Sequence, residues 1–174
     1  MARRSGSEAV RPLAALALAV AFLAPAVNVR AEQWGAMVPG ESTMDAVRAL
    51  RGQPTRTTTV KVDGYDTAQW VYERVQAPPG ITRLTIYFGL RTPSGYRPEI
   101  VRSFKLEPRP GIFDRGLVLV GWGPPAGVGR EGEVEFIFYK EGLFVYFAPQ
   151  DDARVTSMVF TPPQLPPAPA GTRP

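Results

Sequence analysis

Residues 39–54 read PGESTMDAVRALRGQP, and a shift of 71 positions lands without a gap on residues 110–125, PGIFDRGLVLVGWGPP. Pro39/Pro110, Gly40/Gly111, Val47/Val118, Gly52/Gly123 and Pro54/Pro125 are identical across the two windows. In the first window Ser42 or Thr43 can cap a helix, and Asp45 places an acid in its first turn. Met44, Ala46, Val47 and Leu50 make an apolar stripe at helical spacing. Gly52 then stands where a left-handed residue ends a helix, and Pro54 stops any continuation. So short a helix is not stable alone in water. It must lie on whatever the following residues build.

Those residues read as strands, and they recur in the same order. LTIYF at 84–88 matches LFVYF at 143–147, and VRSFKLEP at 101–108 matches VTSMVFTP at 155–162. The offset shrinks from 71 to 59 to 54, so the second copy has shorter loops. In the first copy, 56–62 and 67–73 form a hairpin about Asp63-Gly64. Strands at 83–88 and 99–106 follow, with loops at 77–80 and 92–98. In the second copy a helix is expected over 114–121, although Gly116, Val118 and Val120 are weak helix formers. Strands follow at 133–139, 143–147 and 154–160, with turns at 140–142 and 149–153. Gly121-Trp-Gly123 and Gly127-Val-Gly129 read as a helix stop and a loop. The expected fold is α+β: two helix-plus-antiparallel-sheet units, at 32–108 and 109–162, separate or sharing one sheet.

Residues 1–31 have the pattern of a secretory signal: Arg3, Arg4 and Arg11 precede an apolar run at 13–24. That run has 12 residues, whereas a bilayer span needs roughly 20. Cleavage after Ala31 is preferred over the earlier site at Ala26. Mass spectrometry of the exported protein is expected to find an N-terminus at Glu32, or at Val27 for the earlier site; an intact Met1 in a membrane fraction would instead indicate an uncleaved anchor. No cysteine follows the apolar run, so no lipobox is present. From residue 163 to 174 the chain is a proline-rich tail, expected to be disordered or polyproline.

Composition narrows the chemistry. The net charge is +4, but residue 32 onward carries 16 basic and 15 acidic groups with no basic block. Nucleic-acid binding, which needs clustered cations, is not expected. The chain has no histidine and no cysteine, which removes disulfides, thiolate chemistry, Cys/His zinc sites and every histidine-based triad. No phosphate-cradling glycine pattern is present. Asp151-Asp152 reads as turn chemistry, and Glu133 with Glu135 as a solvated strand face. No cofactor, metal or catalytic residue is expected.

The order of helix, Gly-x-Pro, hairpin with Trp-x-Tyr, and strand ending in Phe resembles the SmpA/OmlA family, the small outer-membrane assembly lipoproteins also called BamE. The residues that carry it are 38–44, Val47, Leu50, Gly52-Gln53-Pro54, Trp70-Val71-Tyr72 and 84–88. The resemblance covers 34–108, with a degenerate second copy over 110–162. The same fold grouping includes secreted β-lactamase inhibitors, in which two such units share one sheet. This chain lacks the lipidated cysteine of the assembly factors, and its second copy lacks Trp-x-Tyr.

The resemblance implies a non-catalytic, extracytoplasmic protein-binding or envelope-assembly protein, periplasmic or secreted, with peripheral envelope association. The alternatives are a secreted inhibitor of an extracellular enzyme and a carboxylate-based hydrolase. The apolar pattern supplies a candidate face. Phe136 and Phe138 alternate together on one strand, Phe144 and Tyr146 on the next, and Tyr87 occupies the position of Tyr146 in the first copy. If the helices cover the other side, Tyr87, Phe136, Phe138, Phe144 and Tyr146 either pack against the sister unit, face to face, or form a protein-binding face.

Overall fold

The computed structural model describes residues 34–163; the signal segment and the proline-rich tail beyond Pro163 lie outside the described residues. Helix α1 (Met44–Arg51) is capped by the Thr43 hydroxyl, which accepts from the Ala46 amide at 3.2 Å. Helix α2 (Arg115–Trp122) is capped in the same way by Asp114, which accepts from the Leu117 amide at 2.8 Å. Between them run β1 (Arg56–Val62), β2 (Tyr65–Glu73), β3 (Ile81–Thr92) and β4 (Gly95–Pro108). After α2 come β5 (Gly127–Glu131), β6 (Val134–Phe138), β7 (Leu143–Ala148) and β8 (Asp151–Phe160).

All eight strands form one antiparallel sheet in the order β1-β2-β3-β4-β8-β7-β6-β5. This overturns the expected α+β class: the fold is largely β, one sheet carrying two short helices rather than two helix-plus-sheet units. The reason is physical. Each helix has eight residues and buries a single one fully, Val47 or Val118. The core comes from the strands, and pairing of β4 with β8 makes their hydrogen bonding continuous.

Two cross-strand rows form that core. One runs Tyr72–Leu84–Leu106–Met158–Val145–Ile137, and the other Trp70–Ile86–Phe104–Phe160–Leu143. Every residue in both rows is buried, in one cluster with Val47 and Val118. Both helices therefore cover the same face of the sheet. At the junction of the halves the Phe104 and Phe160 rings stack at 4.6 Å.

Each helix is tied down twice. Thr43 bridges to Ile100 of β4, and Asp114 bridges to Arg154 of β8. At the other end the Tyr72 hydroxyl donates to the Gly52 carbonyl at 3.1 Å, and the Tyr139 hydroxyl to the Gly123 carbonyl at 3.0 Å. Tyr139 thus does in the second half what Tyr72 of Trp-x-Tyr does in the first. The helix-ending glycines have φ 74°, ψ −159° and φ 77°, ψ −164°. Their φ is left-handed, but their ψ is extended rather than helical, a region essentially reserved for glycine. A Cβ at either position would meet nothing within 4 Å. Gly52→Ala and Gly123→Ala should therefore each cost on the order of 1–3 kcal/mol through backbone strain alone, measured by urea denaturation; no loss at either would refute the assignment.

Burial pushes the phenols of Tyr72 and Tyr139 above their ordinary range, with Arg48 and Arg51 partly opposing it at Tyr72. The native state then holds protons that the unfolded chain releases near pH 10. Their contribution is complete below about pH 10 and is lost as pH rises through the higher folded values. Tyr139→Phe should cost about 1 kcal/mol at neutral pH by removing one hydrogen bond. It should also flatten the alkaline decline in urea midpoints, and an unchanged alkaline limb would contradict the assignment.

Candidate protein-binding face

The side of the sheet away from the helices carries one unbroken row across all eight strands. It runs Arg56–Val71–Thr85–Lys105–Val159–Phe144–Phe138–Gly127. Beside it lie Glu73–Arg83–Glu107 in the first half and Ser157–Tyr146–Phe136–Gly129 in the second. The face is thus charged on β2–β4 and aromatic on β5–β7.

Phe136, Phe138, Phe144 and Tyr146 are all half-buried and packed on one another. Ring centroids lie 5.3 Å apart for Phe136–Tyr146, and 6.1 Å for both Phe136–Phe144 and Phe138–Phe144. On one side Phe144 pairs with Val159 of β8, and on the other lies β5. There Phe138 lies over Gly127, where a Cβ would come within 2.7 Å of its ring, and Phe136 lies over Gly129 in the same way. The segment expected to be a glycine loop is therefore an edge strand. Its two glycines are the seats of the two rings.

Tyr87 is not part of this cluster. It pairs with Gln69 and Ser103 on β3, with β4 and β8 between it and the aromatics. The halves meet edge to edge, so matching positions in the two copies fall far apart on the face.

The cluster has a polar border that strand alternation alone does not reveal. A depression of about 430 Å³ is lined by Lys105, Glu131, Val134, Tyr146, Thr156, Ser157 and Val159. The Tyr146 hydroxyl donates to Glu131 at 3.3 Å. Burial first, then the Glu131 charge and this hydrogen bond, hold the phenol above its ordinary range. Lys105 pairs with Glu107 at 3.1 Å, and Arg83 lies 3.5 Å from Glu107 and 3.2 Å from Glu73. These exposed or half-exposed pairs are worth little individually, so they fix a charge pattern more than they stabilise the fold.

The acids considered for chemistry do not converge. Asp151 and Asp152 open β8 rather than lying in the turn, which is Pro149-Gln150; Asp151 accepts from the Ala153 amide at 3.2 Å and lies 3.7 Å from Arg154. Glu133 sits in the β5–β6 turn, not on a strand. Glu135 faces the helix side, where it meets Arg115 at 2.6 Å. The solvated pair expected from their alternation does not exist. Among the described residues no three acids, histidines or cysteines are grouped to hold a metal, and no helix is long and apolar enough to cross a membrane. No family model matches the chain, and neither curated proteins nor solved structures match it.

Proposed function

We propose that this chain is a non-catalytic, extracytoplasmic protein-binding protein of the SmpA/OmlA kind, and that its partner lies on the helix-free face over β5–β8. One observation carries the reading: four aromatic side chains packed on one another and half-exposed on the face opposite the helices. Exposed ring surface is unfavourable by roughly 25 cal/mol per Å², and a partner's apolar groups would recover that. Aromatic centres with charged borders suit protein interfaces. Here Lys105 and Glu131, in the depression beside Tyr146, supply the border.

The test uses a photo-crosslinking residue at position 144 or 146 in the native envelope, followed by binding measurements with the purified crosslinked protein. Phe144→Ser with Tyr146→Ser should abolish that binding and cost some stability, since the rings touch one another. Tyr87→Ser, outside the cluster, should leave binding intact. A partner that binds the double variant as well as the parent would refute the reading.

A further inference from the structure

A second feature of the helix-free side lies at the far end of the first half, away from the aromatic cluster. A pocket of about 180 Å³ opens where the Asp63-Gly64 turn meets the long β3–β4 hairpin. Several departures from regular strand geometry build it. The Tyr96 ring crosses Gly89, which has φ +85°, and a Cβ there would come within 2.9 Å of the ring. The Tyr96 hydroxyl donates to the Asp66 carbonyl at 3.1 Å, and Tyr65 stacks on Tyr96 at 4.2 Å. Thr67 packs against the same glycine position, with its Oγ1 buried and lacking a hydrogen-bond partner.

Arg102 reaches the pocket because of a β-bulge. Tyr87 pairs with Ser103 and Phe88 with Val101, which leaves Arg102 as the extra residue. Bulges re-aim side chains in this way. The second half has the same bulge, between Tyr146↔Ser157 and Phe147↔Val155, and its extra residue is Thr156. Thr156 donates to its neighbour's carbonyl, Tyr146 O, at 3.1 Å. The bulge therefore belongs to the skeleton of both halves, whereas the guanidinium is peculiar to the first. Arg91 is the second cation in the lining. Neither guanidinium has an ion pair or hydrogen bond among the described residues.

We propose that this pocket binds a small monocarboxylate, its carboxylate held by Arg91 and Arg102 and its carbon body against Tyr65, Val62 and Leu90. Guanidinium groups match carboxylate geometry in a two-pronged fashion. Asp63 also lines the pocket. Two cations against one acid suit a single negative charge better than the double charge of phosphate. The stacked tyrosines and aliphatic walls favour an anion with an apolar body. This site is independent of the aromatic cluster, and the partner-binding reading can fail without affecting it.

The test titrates the full chain with sodium benzoate, sodium acetate and inorganic phosphate at constant ionic strength, following backbone amides by NMR. Benzoate should give saturable shifts at Arg91, Tyr96 and Arg102 with a dissociation constant of about 1 mM, a binding free energy near −4 kcal/mol. Acetate should bind more weakly and phosphate weakest. Arg91→Gln, at an exposed position, and Arg102→Gln should each weaken benzoate at least tenfold while amide dispersion elsewhere stays unchanged. Absence of saturation, phosphate binding tighter than benzoate, or unchanged affinity in a folded Arg91→Gln variant would each overturn the proposal.

Discussion

Phe104→Ala is expected to lower stability by about 3–5 kcal/mol, the range for truncating a fully buried aromatic. Phe104 is completely buried, paired with Phe160 across the β4–β8 junction and stacked on it at 4.6 Å. Only three residue pairs register along that junction: Phe104–Phe160, Lys105–Val159 and Leu106–Met158. A cavity there removes packing from the place where the halves are joined, and few neighbouring pairs can compensate. Chemical denaturation with far-UV detection measures the loss. Phe144→Ala, on the half-exposed face, is the comparison and should cost clearly less. Equal losses would mean that the junction is no more critical than the surface.

Gly142→Ala should be nearly as damaging, at about 3 kcal/mol or more. Gly142 has φ +102° in the β6–β7 turn, and its missing Cβ leaves room for the backbone carbonyl of Thr161. The Thr161 amide in turn donates to the Gly142 carbonyl at 2.8 Å. An alanine must adopt a disfavoured φ and also push a backbone segment away, so two penalties combine. The turn holds together the hairpin that carries Phe138 and Phe144, so partner binding should fall with stability. Gly132→Ala provides the contrast: its φ is +61° and nothing lies within 4 Å of its Cβ position. It should lose only the backbone component, and a matching loss at Gly132 would remove the role assigned to Thr161.

Much of the local structure is legible in the sequence because local chemistry decides it. Thr43, Gly52 and Pro54 bound α1, and Asp63-Gly64 marks the β1–β2 turn. The limits of β1 follow from its Thr/Val run. What escapes is decided by distant residues. GVGRE has no strand signal of its own; it is a strand because Phe136 and Phe138 lie over its glycines. Tyr139 was invisible as the counterpart of Tyr72 because it stands 67 positions away rather than 71, and only the shared hydrogen bond to a helix-ending glycine reveals it. The fold class escapes for a related reason. A helix pattern followed by strands suggests a helical layer, yet eight-residue helices cannot supply one, and the pairing of β4 with β8 has no sequence marker. In the candidate site, strand alternation grouped Phe136 with Phe138 and Phe144 with Tyr146. Tyr87 joins that set only by matching the copies, which ignores the two strands that lie between.

Among the described residues β1 and β5 are the two outer strands of the sheet, and this bears on how the molecule behaves at high concentration. A bare margin of backbone amides and carbonyls invites another chain to add a strand, and repetition of that step nucleates ribbons. At β1 an incoming strand would meet Arg56 and Lys61 near the two ends, both exposed. At β5 it would find five residues, two of them glycines already roofed by rings, closed by Arg130 and Glu131. Neither margin offers a long, flat, uncharged template. Both ends are therefore poor seeds for further strands, and the glycines that seat the aromatic cluster contribute to this at β5.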